Sequence, residues 1–195
     1  MFKEENGQTW VGAGELATFA SYGEPNLWLK WEFDQKTGNY RRTNLREFRE
    51  SYFLNTASRV GKEVVTLEDA IRRAEKGECL RGTRVRVASD KYHVYGDMDE
   101  FEAVGPIKIV ITEDKEKFTE GAVHQVKAYS LALRDSYNPG LPILCRVRNS
   151  ITRKIHYEKV LTDEDEVATG AKIENLHSTL RDFFKVSGES QLLNF

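Results

Sequence analysis

Tyr95–Tyr129 reads YGDMDEFEAVGPIKIVITEDKEKFTEGAVHQVKAY. Ile107–Thr112 (IKIVIT) is dominated by β-branched residues and predicts a strand. Val104-Gly105-Pro106 before it supplies a turn, and Tyr92–Met98 upstream alternates, less cleanly, as a second strand. Downstream, Val123, Val126, Ser130, Leu133 and Tyr137 share one helical stripe, so Glu120–Tyr137 predicts a helix ended by Asn138-Pro139-Gly140. Alternate residues of a strand share a face, so Glu113 and Lys115 project together beyond the row Ile107, Ile109 and Ile111. An antiparallel pair closed at Gly105-Pro106 puts Asp99 opposite Ile111 or Thr112, in diagonal reach of Glu113. Two carboxylates then meet beside a lysine at the rim of a core. Carboxylate oxygens suit hard Mg²⁺ or Mn²⁺, which keep waters and accept phosphate oxygens. The competing reading is a solvated strand end, since Glu-Asp-Lys-Glu-Lys is also an ordinary surface sequence.

Working outward, Thr83–Ala88 (TRVRVA) alternates as a strand, and Ile143–Val147 with Ile151–Leu161 predicts another strand pair. Thr66-Leu67-Glu68-Asp69 reads as a helix start, with Asp69 in the place of the usual Glu or Gln. That helix runs to Glu75 and stops at Gly77. Asn44–Ala57 reads as a helix with Leu45, Phe48, Tyr52 and Phe53 on one stripe. Gly14–Phe33 reads as two short helices around Gly23-Glu24-Pro25. Thr169 caps a last helix bearing Ile173, Leu176, Leu180, Phe183 and Phe184. The order is helices, three strands, helix, two strands, helix: an α/β chain with a central mixed sheet flanked by helices. One domain is expected over 1–195, with a helical part at 1–65, a sheet at 80–161 containing helix 120–137, and a C-terminal helix at 169–185.

Across 195 residues, 39% hydrophobic and 31% charged residues support a core under a charged surface. The net charge of −2 excludes a uniformly basic coat for DNA but not a local basic groove. No apolar run is long enough for a membrane span, and MFKEENGQTW lacks the character of a signal peptide, so a cytoplasmic, reducing location is expected. Cys79 and Cys145 form no metal-binding spacing, and no phosphate-binding glycine loop is present. Arg46 and Arg49, Arg84 and Arg86, Arg41 and Arg42, and Arg146, Arg148, Arg153 and Lys154 are candidate phosphate contacts. Trp10, Tyr22, Trp28 and Trp31 are candidate stacking platforms.

Gly96-Asp97-Met98-Asp99, an apolar strand ending Glu113-Asp114-Lys115, and Gln125-x-x-x-Tyr129 on a helix resemble the RecB-type branch of the PD-(D/E)XK nucleases. Within it the likeness is to the CRISPR-associated RecB-like exonucleases and their viral and archaeal relatives. Glu15-Leu16 and Tyr22-x-x-Pro25-x-x-Trp28-Leu29 resemble the opening of that family. The resemblance implies a restriction-endonuclease-like core and a metal-dependent deoxyribonuclease, an exonuclease or endonuclease preferring single strands or ends. It implies Asp99 and Glu113 as Mg²⁺ or Mn²⁺ ligands, the backbone carbonyl of Asp114 as a third, and Lys115 as the catalytic lysine. Gln125 and Tyr129 would brace the site and contact DNA.

Two departures stand out. The family histidine upstream of the aspartate strand is missing; Gly61 or Lys62 lies near its place, with Glu63 as a candidate oxygen donor. His93 would lie about 20 Å from Asp99 along the strand. Glu24 stands where a cluster cysteine would precede Pro25, so no iron–sulfur cluster is expected. The alternative is a catalytically weak RecB-like fold that binds DNA or a partner protein. Homo-oligomerisation is left open.

Overall fold

A computed structural model of the chain describes residues 3–5, 8–21, 45–57 and 63–186. The fold is mixed α/β. A seven-stranded sheet is built from β1 (Lys3–Glu5), β2 (Gln8–Gly12), β5 (Cys79–Ser89), β6 (Val94–Val104), β7 (Lys108–Lys115), β8 (Ile143–Asn149) and β9 (Ile155–Val160). Its order is β1-β2-β6-β7-β8-β9, with β5 also pairing β6. β2–β6 and β7–β8 are parallel and the other pairs antiparallel. A two-stranded sheet of β3 (Tyr52–Asn55) and β4 (Glu63–Thr66) stands apart.

The helix α4 (Glu120–Tyr137) is the crossover between parallel β7 and β8, and it packs on β5, β6, β7 and β8. Thr119 caps it by accepting from the Ala122 amide, and Asn138 closes it in the left-handed conformation. The helices α1 (Ala13–Ser21) and α5 (Asp163–Val186) lie against α4. The main core joins Leu16, Met98, Phe101, Ile109, Ile111, Val126 and Leu176, all at most 1% exposed. A smaller cluster of Trp10, Leu45, Phe48, Ala88 and Tyr95 gathers β2, β5 and β6 with α2 (Arg46–Arg49).

The helix α3 (Leu67–Glu75) starts and stops as the sequence predicts: the Thr66 hydroxyl accepts from the Asp69 amide, and Gly77 takes φ 101. Three expectations need correction. Asn44–Ala57 is not one helix. A four-residue turn of helix, α2, gives way to β3, whose residues alternate exposed and buried. Phe53 lies over Gly82, where an added Cβ would come within 2.1 Å of its ring, and the stretch pairs with Glu63–Thr66. The 1–65 part is therefore not purely helical: β1, β2, β3 and most of β4 lie within it. The last helix begins at Asp163, not Thr169. Thr162 accepts from the Asp165 amide while Asp165 accepts from the Thr162 amide, a reciprocal cap, and Thr169 is buried inside the helix. The predicted turn at Gly23-Glu24-Pro25 and the second helix after it lie outside the described residues.

Candidate active site

The hairpin β6–β7 builds the site. Its register pairs Phe101 with Ile111 and Glu100 with Thr112, so Asp99 comes level with Glu113, one to two residues beyond the expected alignment. The Asp114 amide donates to Asp99 Oδ2 at 2.8 Å, which fixes the aspartate against the end of β7. Glu113 is 3% exposed. Its Oε1 receives the Lys115 ammonium at 2.6 Å, while Oε2 is buried without a hydrogen-bond partner among the described residues. Burial first, and then the charge of Asp99, push its carboxyl up to about 7. Asp99, Glu113 and Lys115 are thus gathered, not dispersed over a solvated strand end.

The helix α4 closes the site from one side. Gln125 Nε2 donates to Tyr129 Oη at 2.7 Å, joining the i, i+4 pair that the sequence places on one helix face. Burial, and then the charge of Glu113, hold the Tyr129 phenol well above its ordinary range, so it keeps its proton. The Tyr129 ring lies over Gly96, where a Cβ would come within 2.4 Å of it. That contact is a physical reason for the glycine in Gly96-x-x-Asp99. Gln125 is 8% and Tyr129 3% exposed, so they present little surface to a ligand.

The next residue of each strand turns the other way. Arg148 on β8, 7% exposed, donates to Asp114 at 2.7 and 2.9 Å and to Glu100 at 3.3 Å. Arg81 adds a 2.5 Å contact to Glu100, and Arg153 a 3.0 Å contact to Asp114. Burial raises both carboxyls, but these arginines outweigh it and hold Glu100 and Asp114 below their ordinary values. The Asp114 carboxylate is therefore committed to arginines; only its backbone remains for the role expected of it. Sequence reading missed Arg148 as a clamp, since nothing in Arg146-Val147-Arg148 separates it from a surface arginine.

Beside Asp99 opens a cleft of about 880 Å³. Arg46, Arg84 and Arg86 line it with Tyr52, Glu50 and Asp97. Tyr52 is 62% exposed, a surface on which a base can stack. Arg46 pairs with Glu50, and Arg86 with Asp97. Other candidates fall elsewhere. Arg49 binds Asp90 and covers Trp10, which is 2% exposed in the smaller core and is no stacking platform. Arg146 pairs with Glu158. Glu63 is held by Arg73 at 2.9 Å, so it does not replace the missing histidine. His93 sits in the turn before β6, against Trp10 and His177. Tyr22, Trp28, Trp31, Arg41, Arg42, Gly61 and Lys62 lie outside the described residues.

Comparison of the sequence with family models and with curated proteins finds no match.

Proposed function

We propose that this chain is a divalent-metal-dependent deoxyribonuclease of the RecB-like PD-(D/E)XK type, without an iron–sulfur cluster. The observation that carries the reading is Glu113: a buried carboxylate with Oε2 unpartnered, level with Asp99 and bound to Lys115. A buried unpaired carboxylate oxygen is costly, and such exceptions call for a partner. A cation between Asp99 and Glu113 satisfies it, so the residues present fit Mg²⁺ or Mn²⁺. When bound, such an ion neutralises charge on a phosphodiester and lowers the pKa of water.

The chain's own groups act around it. Asp99 and Glu113 hold the metal side of the site, and the Asp114 amide fixes Asp99. The Lys115 ammonium, 37% exposed, orients Glu113 and reaches outward to stabilise charge on the phosphate. Gln125 and Tyr129 form a buried wall on the helix side of the carboxylates. The arginine-lined cleft supplies the path for a DNA backbone. No helix among the described residues is long and apolar enough to cross a membrane.

A second reading, a catalytically weak DNA- or protein-binding module on the same fold, has one observation in its favour. Among the described residues, no group of three or more His, Cys, Asp or Glu side chains is arranged to hold a metal. Labelled single- and double-stranded DNA incubated with Mg²⁺, Mn²⁺ or EDTA separates the two. Metal-dependent products that vanish with EDTA and in Glu113→Gln support the nuclease. DNA binding by an intact fold without products under any metal supports the module.

A further inference from the structure

Among the described residues, non-glycine positive φ occurs at Arg84 (φ 52), His93 (φ 47), Asn138 (φ 41) and Arg153 (φ 60). Three of these have a local cause. His93 lies in the turn between β5 and β6, Asn138 caps α4, and Arg153 lies in the turn between β8 and β9. Arg84 does not: it sits inside the eleven-residue strand β5. The register with β6 is the same on both sides, Thr83↔Glu100 and Val85↔Met98, but no pairing is made at Arg84, which lies across from Asp99. The alternation of β6 breaks at the same place, since Met98 and Phe101, three apart, are both fully buried. The strand is irregular here without an extra residue on either side, and its inward face changes between Gly82 and Val85. A glycine would hold such backbone without strain; an arginine there carries a cost that its surroundings must sustain.

The Arg84 side chain is exposed and lines the cleft beside Asp99. The other two arginines of the cleft are neutralised by Glu50 and Asp97. Arg84 has no ion pair or hydrogen bond among the described residues. Among the described residues its guanidinium thus has no partner that would explain the backbone it occupies. A planar fork of donors is the group that best matches a phosphate's non-bridging oxygens.

We propose that Arg84 is the phosphate anchor of the site: its guanidinium, carried on left-handed backbone in β5 across from Asp99, binds the nucleic-acid phosphate next to the carboxylate pair. The inference rests on the nuclease reading. Arg84 contributes to seating the substrate and to stabilising charge on the phosphate, while the carboxylates hold the metal.

The test compares wild type, Arg84→Gly, Arg84→Lys and Glu113→Gln. The probe is a labelled single-stranded oligonucleotide: affinity is measured in EDTA, and single-turnover cleavage in Mn²⁺. Arg84→Gly removes the guanidinium and the backbone strain together. It should melt at or above the wild-type temperature and titrate Mn²⁺ as wild type does. It should bind the oligonucleotide several-fold more weakly, with the slope of log affinity against log salt reduced by about 1. Its cleavage should fall at least thirtyfold, and Arg84→Lys should recover part of that loss. Binding and cleavage within threefold of an active wild type would overturn the anchor. A lowered melting temperature in Arg84→Gly would assign Arg84 a structural role and overturn it as well. A wild type that binds but never cleaves fails the nuclease reading instead, and the affinity and salt slope of Arg84→Gly then still decide whether Arg84 holds phosphate.

Discussion

Glu113 and Glu100 lie on neighbouring strands, are 3% and 5% exposed, and are of one chemical type, yet their environments are opposite. Glu100 faces Arg81 and Arg148, which outweigh the burial and keep it ionised. Glu113 faces Asp99, has one lysine on one oxygen and nothing on the other, and is pushed up to about 7. Each strand carries the same split in two consecutive residues: Asp99 before Glu100 on β6, and Glu113 before Asp114 on β7. One member goes to the site and the other to the Arg148 clamp. The difference shows where the fold spends its charge compensation. The clamped carboxylates tie β6, β7 and β8 together and fix the register. Among the described residues Lys115 is the one cation paired with either of the other two, the condition under which, on the nuclease reading, a bound metal would contribute most.

The sharpest way to break this comparison is Glu113→Gln. On the nuclease reading cleavage should fall by about a thousandfold or more, equivalent to about 4 kcal/mol of barrier. Single-turnover assays in Mn²⁺ measure this, and a variant that cleaves like wild type would remove Glu113 from the site. The same change should raise stability at neutral and alkaline pH. The unfolded chain ionises Glu113 near 4.5, whereas the folded chain keeps it protonated up to about 7. Between those values the unfolded state binds fewer protons. This group therefore contributes a stability that falls as pH rises from about 4.5 to about 7 and is flat above. Melting temperatures of metal-free wild type and Glu113→Gln should diverge across that window, with the variant higher at pH 8; parallel curves would contradict the burial argument.

Lys115→Ala follows. Cleavage should slow by about a hundredfold or more while Mn²⁺ binding survives, because both carboxylates remain. A single-turnover rate within about threefold of wild type would make Lys115 a surface residue. Arg148→Met tests the other half. Removing the shared cation leaves Glu100 and Asp114 partly unpaired, and denaturant unfolding should show a loss of about 3 kcal/mol. Loss of cleavage should accompany it through the slackened β6–β7 register, whereas unchanged stability would deny the clamp its role.

Gly96→Ala is milder. Its Cβ would meet the Tyr129 ring, which must shift, and overpacking of this kind costs about 1–3 kcal/mol. The Gln125–Tyr129 bond should loosen and the phenol pKa should move, read by ultraviolet titration of tyrosine. Smallest is Thr66→Ala, which removes the cap of α3 at a cost of about 1 kcal/mol. Cleavage at a temperature well below the melting transition should not change. A loss there would show that effects attributed to the carboxylates are merely effects of stability.

Local signals made β7, α3 and α4 legible, with the Thr83–Ala88 part of β5 and the Val94–Met98 part of β6. Alternation, a turn of Val104-Gly105-Pro106 and caps at Thr66 and Asn138 act over a few residues and need no partner to be recognised. The stretch around Phe53 misled for the complementary reason. Leu45, Phe48, Tyr52 and Phe53 satisfy helical spacing, and a strand of four residues is too short to outvote it. Its true state depends on pairing with Glu63–Thr66 and packing over Gly82. The residue pattern predicts a helix start at Thr169, and the structure caps the helix at Thr162 instead. Asp165, reciprocating with Thr162, decides between them, and Lys127 and Lys159 hold that aspartate from outside the helix.

The sequence by itself determined that Asp99, Glu113 and Lys115 share a hairpin, and that Gln125 and Tyr129 share a helix face, because strand parity and helical period are properties of adjacent residues. It did not determine that Glu113 is sealed from water, that Arg148 claims Asp114 and Glu100, or that Arg84 stands in left-handed backbone across from Asp99. Those depend on β8 arriving parallel to β7 after an eighteen-residue helix, and on the irregular backbone of β5 at Arg84 where it faces β6. Burial and the sign of neighbouring charge are set by chain segments distant in sequence, so only the tertiary structure decides which of four similar carboxylates is satisfied and which is left for chemistry.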